Sequence, residues 1–179
     1  VNITLDTIAT KITIPFGIEF LPDGRMLVSD RSDGKIWLIN PVSKTKISLK
    51  NLPVVFGEGQ AGMMEILCHP DYEKNGWIYF SYSDKKDSLN GTVVERAKLK
   101  GDELVSRELI FRTHPFFKNG AHYGGRMLLR DGYLFITIGE RYALKDSAQL
   151  LGNDLGKIIR IKDDGTIPGD NPFVNTPGA

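Results

Sequence analysis

The chain has one cysteine, three histidines and no long apolar run, and each scarcity closes off a class of protein. Cys68 has no partner for an internal disulfide, so cysteine carries no information on the redox compartment. It sits in the apolar run from Met63 to Cys68 and is expected to be a buried packing thiol. Histidines as scattered as His69, His114 and His122, beside a single cysteine, form no zinc spacing. The longest apolar runs are strand-sized, which excludes a membrane-spanning helix. There is no basic run or acidic tail. A net charge of +1 with both signs interspersed argues against a nucleic-acid partner or a charged membrane surface. Helical periodicity is nearly absent, and no GxGxxG follows a strand and opens a helix, which disfavours a nicotinamide enzyme. Val1 to Leu5 lack the basic-then-apolar pattern of a signal peptide, and the missing initiator methionine suggests residues removed ahead of Val1.

What is present is a recurring unit. A short apolar or alternating run is followed by a turn of Pro, Asp, Asn and Gly, and then by a second run. Phe16 to Leu21 leads through Pro22-Asp23-Gly24 to Met26–Ser29. Met63 to Cys68 leads through His69-Pro70-Asp71 and Asn75-Gly76 to Trp77–Phe80. Arg126 to Leu129 leads through Asp131-Gly132 to Tyr133–Ile138. Asp-Gly and Asn-Gly are the residues that tight hairpins require, because they adopt positive φ at low cost. Further strands are expected at Lys35–Ile39, Thr92–Ala97 and Lys157–Ile161. Degenerate repeats of roughly 45 to 60 residues, each with about four antiparallel strands, have the spacing of β-propeller blades. A β-sandwich is the competing arrangement, and the repeated signature favours the propeller. Three blades do not close a ring, since propellers need about four to eight. Residues 1–179 therefore read as one incomplete all-β propeller domain.

The stretch His122-Tyr123-Gly124-Gly125-Arg126 carries the chemistry. Histidine is the side chain whose ordinary pKa suits a base at neutral pH, and flanking glycines let backbone approach a ligand closely. A loop histidine satisfied by backbone hydrogen bonds is the plainer reading of the same residues. Gln60, between Gly59 and Gly62, can grip a ligand hydroxyl or merely cap a turn. His69, in a His-Pro-Asp turn, reads as structural, and His114, ahead of Pro115, as a loop residue. Asp30, Asp33, Asp163, Asp164 and Asp170 read as turn acids rather than metal ligands.

Taken in order, these segments resemble the glucose/sorbosone dehydrogenase family, the soluble aldose dehydrogenases that use pyrroloquinoline quinone (PQQ). Pro15 to Val28 is similar to its opening blade, Gly59-Gln60-Ala61-Gly62-Met63-Met64 to its Gly-Gln-Gly-Gly-Leu-Leu segment, and His69-Pro70-Asp71-Tyr72 to its His-Pro-Asp-Phe. His122-Tyr123-Gly124-Gly125-Arg126 resembles the catalytic His-Phe-Gly-Gly-Arg, and Leu155–Ile161 with Asp164–Pro168 and Asp170–Phe173 a shared mid-chain motif. The resemblance implies a six-bladed propeller of which this chain is the N-terminal half, about three blades. It also implies PQQ and calcium as cofactors, an aldose substrate oxidised at C1 to the lactone, an external electron acceptor, and a periplasmic or secreted location.

By the same resemblance His122 is the general base, Gln60 binds the sugar, and Arg141 is a cofactor ligand for the carboxylated quinone. Calcium ligands are not assigned. Two departures stand out. Some members place the corresponding arginine two residues further on, with an asparagine behind it, whereas Tyr142-Ala143-Leu144 follows Arg141; a surface salt bridge of Arg141 with Glu140 or Asp146 is the alternative. Ala121 stands where members nearest the bacterial glucose dehydrogenase carry an aspartate that orients the imidazole or binds sugar, which shifts the expected sugar preference. Two other functions fit a propeller: a calcium-dependent sugar lactonase with Glu19 as a metal ligand, and a non-catalytic carbohydrate-binding propeller. An open half-propeller exposes blade edges, so this half is expected to need further blades.

Overall fold

The computed structural model describes residues 2–178 as three antiparallel sheets set side by side. The first has β1 (Pro15–Phe20), β2 (Met26–Asp30), β3 (Lys35–Asn40) and β4 (Thr45–Ser48) in sequence order. The second has β5 (Met63–Cys68), β6 (Trp77–Lys86), β7 (Leu89–Lys100) and β8 (Glu103–Arg112). The third has β9 (Gly124–Arg130), β10 (Tyr133–Ile138) and β11 (Ile158–Lys162). Strands β1, β5 and β9 lie along the side where the sheets meet, so the sheets radiate as consecutive propeller blades. The expected four strands per blade hold for the first two. The third carries three among the described residues.

Turn chemistry sets the strand order. Asp131 and Gly132 both have positive φ (53° and 77°) and join β9 to β10 as a two-residue hairpin, as the Asp-Gly pair predicts. The Asn75-Gly76 pair acts differently. Tyr72–Asn75 forms a single helical turn (α1), and Gly76, in the left-handed conformation, caps it before β6.

Side chains alternate along each strand and fill two layers between blades. Ile78, Phe80 and Val93 of the second blade pack against Leu27, Ile36 and Leu38 of the first. Tyr79 and Val94, on the opposite face of the same two strands, pack against Met127, Leu134, Ile136 and Ile161 of the third. Each side chain fully buried in this way contributes about 1.5–3 kcal/mol.

Hydroxyl bridges fix the spacing between blades. Ser29 on β2 accepts the Gly17 N–H of its own blade (2.8 Å) and donates to the Met64 carbonyl of the next. Ser81 on β6 repeats this: it accepts the Glu65 N–H (3.0 Å) and donates to the Gly125 carbonyl (2.6 Å). Both sit opposite a register shift in the inner strand, where the bulge leaves backbone groups outside the ladder. Thr137 holds the matching position on β10, opposite the third register shift, and its hydroxyl bonds the N–H and carbonyl of Arg126 in its own blade.

The sequence-expected structural residues find such roles. His69 accepts the Asp71 N–H at Nδ1 (2.9 Å) and joins Asp163 through Nε2 (3.2 Å), tying the second blade to the third. Asp30 accepts the backbone N–H of Thr13 and Ile14. Burial, with the nearby Glu19 charge, pushes the Cys68 thiol up to about 12.

Candidate active site

Three connections converge at one end of the sheets: the segment into β5, the segment into β9, and the link from β10 to β11. Close backbone approach brings them together. A Cβ on Gly59 would lie 2.5 Å from the Gly120 carbonyl, and one on Gly139 would lie 2.1 Å from the His122 carbonyl. Only glycine permits those contacts.

His122 has positive φ (48°), as do Arg141 (62°) and Tyr142 (60°). Three non-glycine residues in the left-handed region of one site are strained and held there by their surroundings. The Tyr123 carbonyl accepts the Thr92 hydroxyl (2.8 Å) and the Gly139 N–H (3.2 Å). The imidazole is 40% exposed, open to a ligand at one edge. Its Nδ1 lies 2.5 Å from Glu140 Oε1, and Tyr142 packs edge-on against the ring at 5.4 Å between centroids. The hydrogen bond with His122 holds the Glu140 carboxyl below its ordinary value. Glu140 is thus an ionised acceptor suited to an Nδ1–H, which leaves Nε2 as the ring nitrogen with no hydrogen bond among the described residues. The arrangement is an imidazole oriented by a carboxylate.

Gln60 Oε1 accepts the His122 backbone N–H (2.9 Å), and the Gln60 N–H donates to the Gly120 carbonyl (2.7 Å). With Oε1 engaged, its amide NH2 is the end available to a ligand. The structure therefore brings Gln60 and His122 into direct contact.

Arg141 is placed otherwise than as a surface ion pair. It is 2% exposed and makes no salt bridge with Glu140 or Asp146. Its guanidinium stacks on Tyr123 at 3.8 Å, and Nη2 donates to Asn90 Oδ1 (2.6 Å) and to the Asn119 carbonyl. Nε and Nη1 are buried without a partner. Burial lowers the pKa of this guanidinium, as expected for a cation with no carboxylate beside it.

Sequence alone offers Glu140 only as a salt-bridge partner for Arg141. The available signal was an acid directly after Gly139 at the end of an apolar strand, where a side chain turns toward the loops. A carboxylate therefore reaches the imidazole from the β10–β11 link rather than from position 121, which is alanine. Glu19, the candidate lactonase ligand, spends its carboxylate on the backbone N–H groups of Phe20 (2.9 Å) and Cys68 (3.2 Å). No group of three or more His, Cys, Asp or Glu able to hold a metal occurs among the described residues.

The sequence model of the glucose / sorbosone dehydrogenase family matches residues 12–179. The chain belongs to that family. Aldose sugar dehydrogenase YliI of Escherichia coli (strain K12) is 31% identical over 99% of this chain and 49% of its own length. The crystal structure of the soluble aldose sugar dehydrogenase from Escherichia coli, in its apo form, superposes with a TM-score of 0.91 at 32% identity, over 97% of this chain and 51% of that one. The PQQ-bound form of aldose sugar dehydrogenase from Streptomyces coelicolor superposes at 0.79 with 30% identity, over 98% and 51%. The chain spans about half the length of the relatives it matches in this family, and the three sheets are the blades of a β-propeller.

Proposed function

We propose that residues 1–179 carry the proton-abstracting and sugar-gripping side of a PQQ-dependent aldose dehydrogenase. The observation that carries this reading is the Glu140–His122–Gln60 arrangement within a glucose/sorbosone dehydrogenase fold. Oxidising an aldose at C1 removes the anomeric hydroxyl proton and a hydride from the same carbon, leaving a lactone. When bound, PQQ supplies the two-electron acceptor for that hydride. His122 Nε2 takes the hydroxyl proton. The Glu140 carboxylate accepts the Nδ1 hydrogen bond and stabilises the imidazolium that forms. The Gln60 amide donates to a sugar hydroxyl, and its other end fixes the backbone of His122, so sugar and base are held in register.

The residues present fit the quinone in part. Arg141 offers a charge with two unsatisfied donors, the equipment for a carboxylate, but sits behind Tyr123. Its proposed role is therefore electrostatic support of the anionic cofactor. The described residues do not fit a calcium cage, and no step is assigned to that ion. An external electron acceptor and a periplasmic or secreted setting belong to the same proposal. No helix among the described residues is long and apolar enough to cross a membrane.

The test is dye reduction by the complete encoded polypeptide, supplied with PQQ and calcium, over a panel of aldoses. Turnover that requires both sugar and quinone and disappears in His122→Ala is expected. No turnover and no quinone binding would move the reading to a sugar-binding propeller.

A further inference from the structure

Beside the His122 site lies a cavity of about 360 Å³. It is an open cleft between the tip of the β6–β7 hairpin and the segments that lead into β5 and β9. Phe56, Glu58, Lys85, Asn90, Lys118 and Gly120 line it, and His122 and Glu140 do not. The two sites meet at Gly120, whose carbonyl accepts the Gln60 N–H. Gly59 packs on Gly120 so closely that neither residue raises a side chain there. A low saddle of two glycines separates the cavity from Gln60.

The cavity wall is built for an anion. Asn90 is 4% exposed, and its Oδ1 accepts both the Tyr123 hydroxyl (2.7 Å) and Arg141 Nη2 (2.6 Å). That leaves its amide NH2 as the end available to the cavity. Behind it stands the Arg141 charge, buried and with no carboxylate partner. At the mouth, Lys85 lies 5.3 Å from the centre of the Phe56 ring. Neither Lys85 nor Lys118 forms an ion pair among the described residues. Glu58 is the one acid in the lining, against two lysines and the arginine behind them. It can accept from a hydroxyl, while the Phe56 ring offers apolar surface. Hydroxyl, ring face and anion describe an acidic sugar.

We infer that this cavity is a distal subsite for the anionic ring of an acidic disaccharide, whose reducing ring lies at His122 and Gln60. The second ring crosses the Gly59–Gly120 saddle and carries a carboxylate or phosphate to Lys85, Lys118 and the Asn90 amide. Lys118 is four residues from His122, at most about 14 Å along an extended chain, which a disaccharide spans. The position of the reducing ring rests on the dehydrogenase reading. Capture of the anionic ring does not.

The experiment measures binding to the complete encoded polypeptide by calorimetry. The probes are methyl glucuronide, methyl glucoside and methyl glucoside 6-phosphate, none of which has a free anomeric hydroxyl to oxidise. Anionic glycosides should bind about tenfold more tightly than the neutral one, the effect of a charge-assisted hydrogen bond. The preference should vanish in Lys85→Ala/Lys118→Ala and reverse in Lys85→Glu/Lys118→Glu, with methyl glucoside binding unchanged. A preference for one anion over the other tells carboxylate from phosphate. Equal affinity for charged and neutral glycosides, or a preference that survives the double substitution, overturns the subsite. So does loss of uronide binding on adding one equivalent of PQQ, which assigns the cavity to the cofactor. Dye reduction separates the two readings. Anion-selective binding without turnover of any aldose keeps the subsite and removes the dehydrogenase, and turnover without anion selectivity does the reverse.

Discussion

Glu140 grips His122 from eighteen residues further along the chain, Oε1 to Nδ1 at 2.5 Å. The contact spans the whole β9–β10 hairpin, so the geometry of the imidazole is set by the register of one blade. It also fixes the tautomer, which makes the pair testable apart from its neighbours.

His122→Ala removes the base and should lower kcat by about 10²–10⁴. Glu140→Gln keeps the side chain's shape and should lower kcat by about tenfold to a hundredfold with little change in KM. A merely structural Glu140 would leave the imidazole tautomer alone. Nitrogen-15 NMR of the histidines should instead show the Nδ1–H form of His122 in the parent and its loss in Glu140→Gln.

Gln60→Ala deletes both the sugar-facing amide and the acceptor for the His122 N–H. KM for aldoses should rise about tenfold, the loss of one good hydrogen bond, and kcat should fall because the His122 backbone loosens. Gln60→Glu keeps the acceptor and loses the donor, so it should raise KM while sparing kcat. Steady-state kinetics with saturating PQQ distinguishes the two.

Gly139→Ala forces a methyl group against the His122 carbonyl, 2.1 Å away before relaxation. The expected cost is about 1–3 kcal/mol, a fall in Tm of roughly 2–12 °C. Calorimetry on the complete polypeptide checks it, and activity should fall further than stability because the displaced carbonyl belongs to the base.

Cys68 should resist alkylation in the folded protein. Its thiol is pushed from 9.0 up to about 12, so at pH 8 the thiolate is about two to three orders of magnitude rarer than in the unfolded chain. The sign for stability follows. The contribution is intact below the unfolded value near 9 and is lost as pH rises toward the folded one, because only the unfolded thiol ionises in that window. Iodoacetamide labelling followed across a urea titration should track unfolding; rapid labelling without denaturant would contradict the half-buried placement and raised thiol.

Much of the fold was legible because turn chemistry is local. Asp23-Gly24 and Asp131-Gly132 marked the turns after β1 and β9, and alternating runs marked the inner strands. Strands β4 and β8 were not anticipated. Thr45–Ser48 is short and half-polar, and Glu103–Arg112 lacks a period-2 pattern, with the adjacent charges Arg107-Glu108 breaking its apolar runs, so neither resembles a core strand. His122 and Gln60 stand out in sequence through the ordered family motifs, and the fold places them in contact. The role of Glu140 depends on a hairpin folding back. The burial of Arg141 depends on φ = 62° and on Tyr123 lying over it, and no composition rule reports either. An arginine after a glutamate reads as surface until the backbone turns it inward.

The hydroxyl bridges at Ser29 and Ser81 address only main-chain atoms, an N–H on one side and a carbonyl on the other. Such a bridge is indifferent to which side chains surround it, so blade spacing can persist while the packing around it drifts. That gives a physical reason for a superposition of 0.91 between chains identical at only 32% of positions. Divergence within this architecture is free to act on the loops, while the angle between blades stays where two small hydroxyls put it.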